Sequence, residues 1–172
     1  MCTVSAYLSY QFYIYAYQRC RSQHITICNI CRSVMAESIL KHMVAEKGQE
    51  KEWIIDSAAT SDYEIGSTPD SRTNMTLKGN NLPESDHIAR QIKKKDFDKF
   101  HYIFGFDDSN MNKLQRMKPE GSSVVVKKFG SYGAESKDDT VIEDPYYSSS
   151  MDAFDKVYEQ CLRSCKVFLE NF

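Results

Sequence analysis

The chain is 172 residues long, enough for one domain with a substantial hydrophobic core. Its 22 basic and 24 acidic residues leave a formal net charge of −2, which argues against a nucleic-acid binder driven by bulk charge. Six cysteines in a chain of this length, without framework spacing, argue against a small disulfide scaffold and point to reduced thiols in the cytoplasm.

Residues 1–23 differ in character from the rest of the chain. They carry Tyr7, Tyr10, Tyr13, Tyr15 and Tyr17 and close on the basic break Arg19-Cys20-Arg21. The apolar run within residues 4–17 is interrupted by Ser9 and Gln11 and falls short of the roughly 20 residues of a spanning helix, so no membrane association is expected. It also lacks the basic start and long apolar centre of a secretory signal. Residues 1–23 thus differ in composition from a domain over residues 24–172. His24-Ile25-Thr26-Ile27-Cys28 alternates like a half-exposed strand, not like the continuous apolar run of a central parallel strand.

Cys28-Asn29-Ile30-Cys31-Arg32-Ser33 reads as a loop at a helix N-terminus, with an arginine and a hydroxyl placed to hold an anion. From Val34 to Lys47, Met35, Ile39, Leu40, Met43 and Val44 recur at helical spacing, Glu37 suits the first turn, and Gly48 marks the stop. Trp53-Ile54-Ile55 begins a strand ending near Asp56-Ser57-Ala58-Ala59. Ser67-Thr68-Pro69-Asp70 is a turn that starts a short helix to Lys78, closed by Gly79. His87-Ile88-Ala89-Arg90-Gln91 is a further short element before the solvated charges Lys93-Lys94-Lys95. Tyr102-Ile103-Phe104-Gly105-Phe106 is a strand, and Ser109 caps a helix to about Met117. Val124-Val125-Val126 reads as a buried strand and residues 129–143 as a long polar functional loop. Phe154, Val157, Tyr158, Cys161, Leu162, Cys165, Phe168 and Leu169 form the apolar stripe of a C-terminal helix. Strand-type runs alternating with helical patterns indicate an α/β fold with a parallel sheet.

Asn29-Ile30-Cys31-Arg32-Ser33 resembles the second half of the phosphate-binding loop of low-molecular-weight protein tyrosine phosphatases, Cys-x5-Arg-Ser, usually Cys-Leu-Gly-Asn-Ile-Cys-Arg-Ser. Further segments match in the same order. Asp56-Ser57-Ala58-Ala59-Thr60-Ser61 with Tyr63-Glu64-Ile65-Gly66 looks like the family's strand end and substrate-cleft loop. Pro69-Asp70 with Arg72, and residues 87–91, look like the family's next helices. Asp107-Asp108-Ser109-Asn110 resembles the acidic segment near the cleft, Asp144-Pro145-Tyr146-Tyr147 the general-acid loop, and Val157-Tyr158-Glu159-Gln160-Cys161 the last helix. The resemblance begins abruptly at about Asn29, and set against the family residues 1–23 read as a divergent N-terminal segment, an alternative or mis-joined first coding segment. The resemblance implies a single-domain, Rossmann-like fold with a four-stranded parallel sheet flanked by helices, here with an atypical first strand. It implies hydrolysis of phosphotyrosine-containing proteins or small aryl phosphates through a phosphocysteine, by a monomer or weak homodimer, without metal or other cofactor. Asn29, Ile30, Cys31, Arg32 and Ser33 match the phosphate-binding positions, and Arg32 and Asp144 the catalytic ones. Asn29, Ser33, Ser57 and His87 match a hydrogen-bond network supporting the loop. Tyr63, Tyr146 and Tyr147 match the aromatic walls of the cleft.

The residue types suit that chemistry. A phosphate monoester dianion is received by backbone N–H groups and a bidentate arginine. A thiolate at the base of the cradle is stabilised by the same dipoles. A carboxylic acid on a loop can protonate the leaving oxygen and later take a proton from water. The chain departs from this pattern at the nucleophile position. Six residues before Arg32 stands Thr26, not cysteine; Cys28 stands where the family has glycine, and Val34 where it usually has proline. Loss of a proper first strand also predicts a weakened sheet. Cys28 is a possible substitute nucleophile, although only two residues lie between it and Cys31 and three before Arg32. Three readings stand: a phosphatase family member with an aberrant N-terminus, a phosphotyrosine-binding pseudo-phosphatase, and a redox or zinc module built on Cys28-x-x-Cys31. The last lacks a second ligand pair at suitable spacing.

Overall fold

The computed structural model describes residues 21–26, as backbone, and residues 29–172. Four parallel strands form one sheet in the order β2-β1-β3-β4: β1 (Arg21–Thr26), β2 (Ile54–Ala59), β3 (Tyr102–Gly105) and β4 (Val125–Lys128). The helices are α1 (Arg32–Glu46), α2 (Ser71–Gly79), α3 (Asp96–Lys99), α4 (Asp108–Met117) and α5 (Met151–Leu169). The fold is therefore the α/β arrangement expected, with four parallel strands.

Strand β1 forms despite a polar sequence that does not read as a central strand. It takes the central place, pairing with β2 from Arg21↔Ile54 to Thr26↔Ala59 and with β3 from Ser22↔Tyr102 to Ile25↔Gly105. Parallel pairing satisfies backbone groups whatever the side chains are, so two flanking ladders can hold a sequence whose pattern does not announce a central strand.

Residues alternate between the two faces of β3. Tyr102 and Phe104 join a cluster with Leu40, Leu77, Phe154, Cys161, Cys165 and Phe168, so α1, α2 and α5 cover that face. Ile103 joins Ala58, Phe97, Phe100, Leu114 and Val124 under α3 and α4. The aromatic centre is Phe168, whose ring meets Trp53, Tyr102, Phe104 and Tyr132 edge-on at centroid separations of 5.1–6.0 Å.

Helix α1 stops as its glycine predicts. Gly48 has φ +67°, its N–H bonds Ala45 O, and the Gln49 N–H bonds Val44 O, the paired closure of a Schellman turn. Five other expectations are corrected. Helix α2 includes Gly79, and the left-handed residue after it is Asn81, with φ +61°. Asp107, not Ser109, caps α4, accepting the Asn110 N–H at 2.7 Å. Residues 87–91 form no helix, and Gln91 joins the sheet through a parallel bridge to Ala59. Strand β4 is not buried: as an edge strand with β3 alone beside it, its residues alternate between exposed and half-buried. Residues 129–143 are not wholly a polar loop: they include 3₁₀ turns at Phe129–Tyr132 and Lys137–Thr140, and Phe129 and Ile142 are fully buried in the core. Gly130 sits so close to the Thr140 carbonyl that a Cβ there would lie 2.5 Å from its oxygen.

Candidate active site

The candidate site lies beyond the carboxyl ends of the strands. In an open sheet with this strand order, chain connections depart in opposite directions from β1 and β3 and leave a crevice there. Residues 29–33 follow β1, residues 60–66 follow β2, and Asp107 follows β3.

Asn29 holds the loop. It is fully buried and left-handed, with φ +61°. Its Nδ2 donates to Ser33 Oγ at 2.9 Å and to Ser57 Oγ at 2.8 Å. Its Oδ1 accepts the Arg90 N–H at 3.1 Å and lies 2.8 Å from His87 Nε2. An amide oxygen only accepts, so this pairing places a proton on Nε2 of His87. Burial pushes the His87 pKa below its ordinary value, against the pull of Glu37 and Asp56. Glu37 Oε2, buried, lies 3.5 Å from His87 Nδ1. Ile30 is fixed from the other side: its carbonyl accepts the Asp70 N–H at 3.0 Å and Thr73 Oγ1 at 3.2 Å.

Cys31 is the N-cap of α1 and offers no side-chain cap, so the first turn of the helix presents backbone N–H groups uncapped by that side chain. Burial, with Asp70 and Asp144 nearby, pushes the Cys31 thiol up to about 12. It is therefore a neutral packing group at ordinary pH.

Arg32, on the first turn of α1, is only 1% exposed. One guanidinium nitrogen donates to Asp107 Oδ2 and to the Ile142 carbonyl, both at 2.7 Å; the other reaches Asp144 Oδ2 at 3.1 Å. Its carbon lies 5.6 Å from the Phe106 ring centroid. A cation this buried is stable only because two carboxylates and a carbonyl surround it. Asp144 precedes Pro145 and accepts the Tyr146 N–H at 3.3 Å.

The structure thus brings together Asn29, Ile30, Cys31, Arg32, Ser33, Ser57, His87 and Asp144. The tyrosines divide. Tyr146 is half-buried and meets Tyr147 edge-on at 5.1 Å, while Tyr147 is 89% and Tyr63 82% exposed. Cys28 lies outside the described residues, as do residues 1–20; Thr26 ends β1. Asp107 and the Ile142 carbonyl were not legible as partners of Arg32, since they lie 75 and 110 residues away and a carbonyl has no sequence signature. Arg90, whose N–H completes the Asn29 site and whose guanidinium pairs with Asp56 and Asp96, was equally silent.

Comparison with known proteins places the chain. The low molecular weight phosphotyrosine protein phosphatase family matches residues 23–172. The human low molecular weight phosphotyrosine protein phosphatase is 42% identical over 149 residues, 86% of this chain and 92% of that protein. Among solved structures, Primo-1 superposes with a TM-score of 0.82 at 38% identity, covering 88% of this chain and 97% of that one. The Drosophila arginine phosphatase DARP superposes equally well, with a TM-score of 0.82 at 37% identity and coverages of 87% and 96%.

Proposed function

The chain belongs to the low molecular weight phosphotyrosine protein phosphatase family, and from that membership we propose that residues 29–33 receive the phosphoryl group of phosphotyrosine-containing proteins or small aryl phosphates. The observation that carries this reading is Arg32: a guanidinium fixed on the first turn of a helix whose N-cap side chain makes no capping bond, beside a carboxyl group on a separate loop. Asn29, Ser33, Ser57 and His87 hold the cradle in shape. Tyr146 walls the ring of the substrate, with Tyr63 and Tyr147 at the exposed rim.

In the family's reaction a thiolate attacks phosphorus while a carboxylic acid protonates the departing phenolate oxygen, and the resulting phosphocysteine is hydrolysed with the carboxylate as base. Asp144, matching the family's general-acid segment and lying beside Arg32, is assigned the acid and base role. Arg32 and the loop N–H groups supply charge stabilisation in the transition state, so the proposed reaction uses no cofactor. The missing element is the thiolate. Thr26 carries a hydroxyl with no adjacent base in the sequence, which favours a second reading for this chain: phosphotyrosine binding without turnover. The domain proposed for this role is residues 24–172, after a divergent segment 1–23. A cytoplasmic monomer or weak homodimer fits that role, and no helix among the described residues is long and apolar enough to cross a membrane.

Hydrolysis of an aryl phosphate at mildly acidic pH tests these readings with the chain itself, a Cys28→Ser variant, and a Thr26→Cys, Cys28→Gly double variant. Vanadate binding is measured alongside. Binding by the chain with turnover only in the double variant supports a phosphatase scaffold that here binds without hydrolysing. Turnover by the chain, abolished by Cys28→Ser, makes Cys28 the nucleophile. Phosphoarginine serves as a competing substrate; its preference over aryl phosphate overturns the phosphotyrosine assignment. Absence of vanadate binding in every variant overturns the site.

A further inference from the structure

Arg72 stands outside the phosphate loop, on the first turn of α2, and the site as described does not use it. Its guanidinium is nonetheless engaged on every side. Nε and one Nη grip both oxygens of Asp70 at 3.0 and 2.7 Å. That same Nη donates to the Tyr146 carbonyl at 3.1 Å, and the other Nη to the Ser148 carbonyl at 2.6 Å. The group lies 4.5 Å from the centroid of the Phe154 ring, which is fully buried on α5.

These contacts connect two loops far apart in the chain. Asp70 donates its own N–H to Ile30 O, so the carboxylate that orients Arg72 belongs to the residue that braces the phosphate loop. At the other end, the Tyr146 backbone is held on both sides: its carbonyl accepts from Arg72 and its N–H donates to Asp144 Oδ1. The local ties of this segment are short-range turn bonds, Tyr146 N–H to Asp144 Oδ1 at 3.3 Å and Ser148 N–H to Pro145 O at 3.0 Å among them, and none of these reaches α2. A planar guanidinium can hold a carboxylate and two carbonyls at once because its five N–H groups point in fixed directions; a lysine ammonium has no such fork.

We infer that Arg72 is a positioning residue that fixes residues 144–148 against the phosphate loop, holding the Tyr146 wall where an ester-linked aromatic ring must pack and so favouring aryl phosphates over inorganic phosphate. The inference rests on the phosphotyrosine reading of the site. Inorganic phosphate needs only the cradle of residues 29–33. An aryl ester must also find the wall in place, and a loose segment charges the cost of its ordering to the affinity of that ligand alone.

The test uses the full chain, Arg72→Gln and Arg72→Lys, titrated calorimetrically with inorganic phosphate and with phenylphosphonate, which cannot be hydrolysed. Amide hydrogen exchange is followed over residues 144–150 and over α5. For Arg72→Gln the expected result is a phosphate affinity within about twofold of the parent and a phenylphosphonate affinity about tenfold weaker, the scale of one charge-assisted hydrogen bond. Exchange at the Tyr146 and Ser148 amides rises while the buried turns of α5 stay protected. Arg72→Lys keeps the charge and the fold but loses the fork, and recovers little of the preference. Equal loss of both ligands, or an unchanged ratio with unchanged exchange, overturns the inference. If the parent binds neither ligand, the phosphate reading fails and the selectivity claim with it; the exchange measurement then decides separately whether Arg72 fixes the segment.

Discussion

His87 Nε2 lies 2.8 Å from Asn29 Oδ1 across 58 residues of chain. With the Arg90 N–H on the same oxygen and Ser33 and Ser57 on Nδ2, all four hydrogen-bonding positions of the Asn29 amide are filled. That saturation holds a residue with a Cβ in the left-handed region at the start of the loop that leads into α1.

Asn29→Ala removes all four bonds and leaves their buried partners to seek others. The expected destabilisation is about 2–4 kcal/mol, read from urea unfolding, with vanadate binding weakened at least about tenfold. Asn29→Gly relieves the backbone cost without restoring any bond, so it recovers no more than about 1 kcal/mol relative to alanine.

Asp144 places a carboxylate oxygen 3.1 Å from the Arg32 guanidinium, where it competes with an incoming dianion. Asp144→Asn removes that charge and is expected to tighten vanadate binding by about 3- to 10-fold. In the Thr26→Cys, Cys28→Gly background the same change removes the acid proposed for the leaving group, and aryl phosphate hydrolysis is expected to fall by about 100-fold or more. Weaker vanadate binding in Asp144→Asn would place the carboxylate as a ligand support instead.

The Arg72 guanidinium holds the Asp70 carboxyl below its ordinary value of 3.8, chiefly by direct hydrogen bonding and against the opposing effect of burial. A depressed native pKa means that the contribution of Asp70 is complete above the unfolded value and is lost as pH falls through the native one. Between about pH 5 and pH 2, unfolding free energy should therefore fall more steeply for the parent than for Asp70→Asn. Parallel curves in urea titrations over this range would remove Asp70 from the acid response.

Burial pushes Cys31 and Cys161 each up to about 12, and Cys165 well above its ordinary value. At pH 8 a thiol at about 12 is ionised in roughly one molecule in ten thousand. Iodoacetamide should leave these three residues unmodified in the native protein and label all three after denaturation, as mass spectrometry of the peptides will show. Rapid native labelling of Cys31 would contradict the packed loop.

Gly130→Ala pushes a methyl group against the Thr140 carbonyl, backbone that cannot swing aside. Forced repacking of this kind costs about 1–3 kcal/mol. A thermal midpoint lowered by roughly 2–12 °C is expected for a chain of this size.

The turn at residues 29–31 leading into α1 was legible because Asn29, Arg32 and Ser33 are local and stand directly before a strong helical pattern. The Gly48 stop and the stripe from Phe154 to Leu169 were legible for the same reason: periodicity and left-handed turns leave marks within a few residues. Ser109 reads as the α4 cap in the sequence because Asp107 and Ser109 both have capping chemistry, and only the observed bond from the Asn110 N–H distinguishes them. Residues 129–143 read as a loop because their polar composition hides two anchors, Phe129 and Ile142, whose burial depends on α5 and the sheet. The central place of β1 was obscured by its polar residues, since pairing with β2 and β3 is a property of backbone brought in from residues far along the chain.

By itself the sequence determined the family, the α/β class and most of its strands and helices, and it showed a threonine six residues before Arg32. These are properties of residue type and short spacing. Only the tertiary structure decided that Arg32 is enclosed by Asp107, Ile142 and Asp144, that Asn29 is saturated from four directions, and that Arg72 joins α2 to residues 144–148. Each of those arrangements satisfies a buried polar group with partners contributed by distant segments, and a burial cost offset across the fold leaves no local pattern to read.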